Sequence, residues 1–175
     1  MISALLAAPP RLGGVRVLAI DGPSGAGKST LAEAVVAELG TRAALVSTDA
    51  FATWDNPVAW WPQLERGVLE PLSAGRAGEY RRVDWTSGEP RPGELVTVGV
   101  PGVLVLEGVS SGRRSMRPRL SHLCWIEGGT AAERLERAVA RDGEASRAHL
   151  RRWQLFEQGW FAVDGTPESA QTRLP

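Results

Sequence analysis

An apolar run, Val15 to Ile20, leads through Asp21 into Gly22-Pro23-Ser24-Gly25-Ala26-Gly27-Lys28-Ser29, and from there into a helical stretch reaching Leu39. This order constrains the chain more than any other feature. The glycine-rich segment fits G-x-x-x-x-G-K-[ST], the Walker A pattern of a phosphate-binding loop (P-loop). Phosphate oxygens must meet several backbone N–H groups at once, and glycines let the chain curl tightly enough to supply them. The helix that follows points its positive end at the same place. Lys28 can reach the β- and γ-phosphates, and Ser29 can bind Mg²⁺. The strand before the loop and the helix after it provide the context that the pattern needs. Gly22, Ser24, Gly25, Ala26, Gly27, Lys28, Ser29 and Thr30 are therefore the expected nucleotide contacts, with ATP and Mg²⁺ as the implied cofactors.

The rest of the chain alternates strand and helix signals. Ala43 to Val46 reads as a second strand, ending at Ser47-Thr48-Asp49. Asp55-Asn56-Pro57 has the form of a helix start, a capping residue followed by proline, and predicts a helix to about Leu69. Gly75 to Gly99 is irregular, with Val96 to Val98 as one arm of a hairpin. Val103 to Leu106 and Leu120 to Ile126 are further apolar strands. Thr130 to Arg141 reads as an amphipathic helix and Ser146 to Phe161 as a last helix. This alternation predicts an α/β domain of P-loop NTPase type: three layers, α/β/α, with a mostly parallel sheet and a small lid. Ligands of such sheets sit at the carboxyl ends of the strands. Asp21, Asp49 and Glu107 all fall there. We expect one domain over residues 1–175, with residues 1–12 as a flexible tail.

Composition narrows the function classes. The 175 residues carry 20 basic and 20 acidic side chains, without the basic excess of a nucleic-acid binder. No apolar run approaches a membrane span, and the N-terminus lacks a signal-peptide pattern. We expect a soluble, cytoplasmic chain whose partner is a small-molecule acceptor, with no nucleic acid and no membrane; its oligomeric state is left open. The lone Cys124 lies in an apolar run and reads as buried and inert. His122 and His149 have no ligand partners at metal-binding spacing. Seven tryptophans suit the core or, in loops, a flat ligand.

A phosphate loop alone does not separate kinase, GTPase and motor. The chain has no N-K-x-D base-reading motif, and the strand Val103-Leu104-Val105-Leu106 ends in a single acid and a glycine, Glu107-Gly108. At this point the chain resembles the uridine kinase family of P-loop nucleoside and nucleotide kinases. Ile20 to Ser29 is similar to the family's opening. Thr48-Asp49-Ala50-Phe51 resembles its D-x-F-Y segment, with Ala52 where the tyrosine stands. Asp55-Asn56-Pro57 is similar to its D-x-P, and Leu106-Glu107-Gly108-Val109 to its E-G-[IV]. Tyr80-Arg81-Arg82-Val83-Asp84-Trp85 resembles its acceptor segment. Arg134 to Asp142 resembles the R-L-x-R-x-x-x-R-D helix that enters the lid, although the R-G-R element is missing. The similarity covers residues 15 to 142 and implies ATP-dependent phosphorylation of a hydroxyl, on a nucleoside such as uridine or cytidine.

Asp49 is the candidate general base, because a sugar hydroxyl needs a carboxylate to orient it and take its proton; the alternative is a cap or turn acid. Glu107 ends a buried strand, where facing Mg²⁺ would resolve an otherwise costly charge; the alternative is a structural ion pair. With Ser29 it forms the expected metal site. Asp21 braces the loop or serves the phosphates. Arg137 and Arg141 share a helix face. The resemblance puts both near the lid, where arginine can stabilise a transferring phosphoryl group; the alternative is a solvated surface. Trp54, Tyr80, Arg82, Asp84 and Trp85, with Asp49, are the expected acceptor contacts, against ordinary packing. Two other readings stay open: a kinase for a nucleoside monophosphate, sugar, vitamin precursor or antibiotic, and a nucleotide-binding regulatory module without transfer activity.

Overall fold

The structure is a computed structural model that describes residues 1–86 and 89–175. In chain order the elements are α1 (Ile2–Ala7), β1 (Arg16–Asp21), α2 (Lys28–Leu39), β2 (Ala43–Ser47), α3 (Trp61–Leu64), α4 (Glu70–Ser73), β3 (Gly78–Asp84), β4 (Arg91–Val98), β5 (Val103–Glu107), β6 (His122–Ile126), α5 (Ala131–Asp142), α6 (Arg147–Asp164), α7 (Thr166–Ser169) and β7 (Thr172–Leu174). A π-helical turn, Glu65–Leu69, joins α3 to α4.

The main sheet has the order β2-β5-β1-β6-β7, and its paired strands are all parallel. Successive side chains of a strand point to opposite faces. Val17 and Ala19 of β1 therefore enter one core with Leu104, Leu106, Leu123 and the α3–α4 segment. Leu18 and Ile20 enter a second core with Val105, Cys124 and α2. Burial on both faces explains why these strands read as unbroken apolar runs. Cys124 is buried in the second core, and burial pushes its thiol up to about 11, as an inert thiol requires. Among the described residues no helix is long and apolar enough to cross a membrane.

Two expectations fail. Residues 1–12 are not a flexible tail: α1 docks through the fully buried Leu5 against Leu18, Ile20 and Val35. Arg16 Nε also donates to Ala8 O at 2.9 Å, tying the segment to β1. The helix predicted from Pro57 begins instead at Trp61, with Pro62 in its first turn. Asn56 Oδ1 accepts from Ala59 N at 2.8 Å and closes a turn there. The indole of buried Trp60 donates to Pro57 O at 2.8 Å. The proline rule applied, but at the later proline.

The hairpin is longer than Val96 to Val98 suggests. β3 and β4 pair antiparallel from Gly78↔Val98 to Asp84↔Arg91, with an irregularity between Arg81 and Val83. Residues 87 and 88, within the segment read as irregular, lie outside the described residues. Thr130 caps α5 through a reciprocal box with Glu133, which fixes where that helix begins.

Candidate active site

Strand register assembles the site. Ile20 of β1 and Ser47 of β2 both lie opposite Glu107 of β5, so the carboxyl ends of three strands meet at one edge. The phosphate loop leaves β1 there and enters α2, whose N-cap, Gly27, has φ 95°. Gly25 has φ 76°, and a Cβ at that position would fall 2.3 Å from Arg134 O. The loop is wrapped so closely that only glycine fits, which suits a cradle of backbone donors. Lys28 is buried, and its Nζ donates to Pro23 O at 2.9 Å across the loop. Ser29 and Thr30 begin α2 at the surface.

Asp21 is fully buried and accepts from Gly22 N (2.8 Å), Ser110 N (3.0 Å) and Gly112 N (2.8 Å). It joins the phosphate loop to the loop after β5, so its role is bracing. Ser110, held in this way, is the only non-glycine with positive φ (70°) among the described residues. Burial pushes the Asp21 carboxyl up to about 7, against the pull of its N–H donors and Lys28.

Glu107 is buried beneath the loop. Burial raises its carboxyl first and the Asp49 carboxylate second, while the Ser47 and Ser29 hydroxyls and Lys28 act the other way. Ser29 and Glu107 thus come together as the metal reading requires. A cation held between them would relieve the buried charge on Glu107, so the residues present fit Mg²⁺. Among the described residues no cluster of three or more His, Cys, Asp or Glu could hold a metal alone. Such an ion would therefore share its coordination with the nucleotide.

Asp49 is exposed at the end of β2, and its backbone N–H donates to Ser47 Oγ at 3.3 Å. It lines a cavity with Thr48, Ala52, Pro57, Val109, Trp153, Phe156 and Glu157. The wall facing Asp49 is therefore α6 rather than the β3–β4 hairpin. The residues expected to hold an acceptor are largely engaged elsewhere. Trp54 stacks on His149 at 4.9 Å and meets Trp85 and Trp153 edge-on, each at 5.2 Å. Tyr80 packs against Phe51 at 4.8 Å. Asp84 accepts from Thr86 N and Oγ1 in a local turn that holds its carboxyl below the usual range. Arg82 lies exposed at the hairpin irregularity. Trp60 and Trp61 are not free for a flat ligand either, since Arg113 sits over both and over Trp160.

The arginines divide. Arg137 donates from Nε to Gly25 O at 2.8 Å and from Nη2 to Gly128 O. It braces the outside of the phosphate loop instead of facing a transferring group. Arg141 forms a paired contact with Asp142 (2.6 and 2.7 Å), which is the first cause holding its guanidinium in the charged form. Asp49 and Glu107 favour its charge as well, so Arg141 stands in the field of the acids at the site.

Glu157 escaped sequence reading. It is 2% exposed; one carboxylate oxygen accepts from Ser24 N at 2.9 Å and the other from Ser24 Oγ. Burial raises its carboxyl, Lys28 and Ser24 oppose this, and Asp49 adds to it. A lone acid on a helix face otherwise built from Leu150, Trp153, Phe156, Trp160 and Phe161 was the available signal.

Neither a family model nor a curated protein matches the sequence. Solved structures do match. A possible uridine kinase from Bacillus stearothermophilus superposes with a TM-score of 0.67 at 17% identity, over 93% of this chain and 90% of that one. A candidate fructose transport system kinase from Silicibacter sp. TM1040 superposes with a TM-score of 0.66 at 21% identity, over 99% and 93%. The parallel sheet, the phosphate loop and these superpositions together show an α/β/α P-loop fold like that of those two structures.

Proposed function

We propose that this protein is an ATP-dependent kinase that phosphorylates a hydroxyl on a small molecule, most readily a nucleoside of the uridine or cytidine type. The observation that carries this reading is the placement of Asp49. Its carboxylate lines a cavity that also reaches Glu157, which is bonded to the phosphate loop, and aromatic side chains form the far wall. A carboxylate so placed can orient an acceptor hydroxyl and take its proton. A phosphate acceptor, already ionised, would not need one.

Within this reading the backbone amides from Gly25 to Thr30 bind the triphosphate, with Lys28 neutralising its outer charge; Pro23 has no N–H, and that of Gly22 is held by Asp21. Ser29 and Glu107 would hold Mg²⁺, which when bound would supply positive charge against the charge developing on the phosphates. Asp49 accepts the hydroxyl proton, and Arg141 offers positive charge beside it. Arg137 keeps the loop in shape. Trp153 and Phe156 offer flat surfaces against which a base can stack. The two neighbours are named for a nucleoside and a sugar, both polyhydroxyl acceptors.

The test is ADP release from Mg-ATP against nucleosides, nucleoside monophosphates, sugars, vitamin precursors and hydroxylated antibiotics. Stimulation by uridine or cytidine is the expected result. A response to sugars alone would keep the mechanism and change the acceptor. Nucleotide binding without turnover on any of them would favour a regulatory module.

A further inference from the structure

Glu157 brings a buried negative charge to the place where a triphosphate must arrive. Ser24 is the residue it holds, through both the backbone N–H and the hydroxyl. Lys28 and Asp49 both act on its carboxyl, so it stands within electrostatic reach of the loop lysine and of the candidate base. Nothing else in the loop is held from α6 in this way: Lys28 turns to Pro23 O, and Gly25 O is taken by Arg137.

The same helix face closes the acceptor cleft. Phe156 and Glu157 lie three and four positions after Trp153 on α6, so each neighbours Trp153 on the helix surface. All three line the cavity beside Asp49, which encloses about 10 Å³. That is room for about one water molecule, not for a sugar or a nucleoside. An acceptor can enter the space between Asp49 and α6 only after this face of the helix has shifted. α6 lies between two glycines with positive φ, Gly143 (89°) and Gly165 (66°); it is held at buried Leu150 and Phe161 and turns Leu155 and Val163 to solvent.

We propose that Glu157 is an anionic gate: its hold on Ser24 keeps α6 across the acceptor cleft, and arrival of the γ-phosphate expels it, so that nucleotide must bind before acceptor. The proposal rests on the kinase reading given above. Like charges in a poorly solvated site repel strongly, and the repulsion is greatest for the phosphate nearest the carboxylate.

The experiment uses the full chain and measures binding of AMP-PNP, ADP and AMP by calorimetry, in the wild type and in Glu157→Gln. Gln keeps the size and removes the charge. Glu157→Gln is expected to bind AMP-PNP about tenfold more tightly than wild type, ADP by a smaller factor, and AMP with no gain. Unchanged or weaker AMP-PNP binding would overturn the gate and make Glu157 a brace. An equal gain for all three ligands would overturn it too, because the effect would not depend on the γ-phosphate. Hydrogen exchange on the wild type tests the same idea without a variant that must fold. Mg-AMP-PNP should speed exchange of amides in residues 150–161, and slower or unchanged exchange there would overturn the gate. Failure of the wild type to bind AMP-PNP at all would remove the kinase reading itself, and the gate with it.

Discussion

The two sides of the cleft are built differently. On the side proposed for phosphate one contiguous stretch, Asp21 to Thr30, forms the loop, held by a buried carboxylate, strand register and close-packed glycines. On the side proposed for the acceptor the wall is gathered from the end of β2, the turn around Pro57, the loop after β5 and one face of α6. The chemistry of a phosphate is fixed, so its cradle can be a local motif. The acceptor differs from kinase to kinase, and its wall is assembled from side chains far apart in the chain. The first side should therefore respond to mutation by losing function altogether, the second by changing preference.

Substitutions can test that division. Asp49→Asn should lower turnover by about 10²–10⁴-fold while leaving the Kd for ATP nearly unchanged, measured by single-turnover kinetics and calorimetry. Parallel losses in both would place Asp49 with the loop and erase the contrast. Lys28→Ala should lower turnover about 10²–10³-fold and weaken ATP binding as well, with the circular dichroism spectrum retained. Trp153→Ala should raise acceptor KM by about tenfold and alter the ranking of acceptors, at an unchanged Kd for ATP. An altered Kd with unaltered ranking would show that this face of α6 serves the loop alone. The smallest effect should come from outside the cleft: Thr130→Ala removes the α5 capping box and should cost about 1 kcal/mol in a denaturant titration, without changing kinetics.

Acidity gives a further measure of the phosphate side. Burial pushes the Asp21 carboxyl up to about 7 in the folded chain, against an ordinary value of 3.8. Between those values the folded chain keeps a proton that the unfolded chain has lost. Stability is therefore highest at the acid end of that window and declines as pH rises toward 7. Glu107 and Glu157, also raised by burial, act in the same direction. Unfolding midpoints measured from pH 4 to pH 7 should show the decline, and Asp21→Asn should flatten it.

What could be read from the sequence follows the same division. The strands, the phosphate loop, α2, α5 and the positions of Asp21, Asp49 and Glu107 are local signals, and each is visible in a short window. Trp153, Phe156 and Glu157 face Asp49 across about a hundred residues of chain, and no local pattern announces that meeting. The hairpin residues looked like acceptor contacts because they combine aromatics and charge. Trp54 and Trp85 instead pack with each other, with His149 and with Trp153, and Tyr80 packs on Phe51. The helix start at Asn56-Pro57 failed for a local reason. The asparagine closes a turn, and buried Trp60 draws the chain inward before the helix can begin.

The strand order has a consequence for how the chain reaches its native state. β1 is flanked by β5 and β6, with Arg16 paired to Val103 and Leu18 to His122. Those pairings must close loops of about half the chain or somewhat more before any contact is gained, whereas β3 and β4 can zip together on their own. The hairpin should form early and the central strands late, on a timescale of milliseconds or more. The phosphate loop hangs between β1 and α2 and is braced through Asp21 to the segment after β5. It acquires its shape in that last step, so nucleotide binding would report completion of folding rather than an early intermediate.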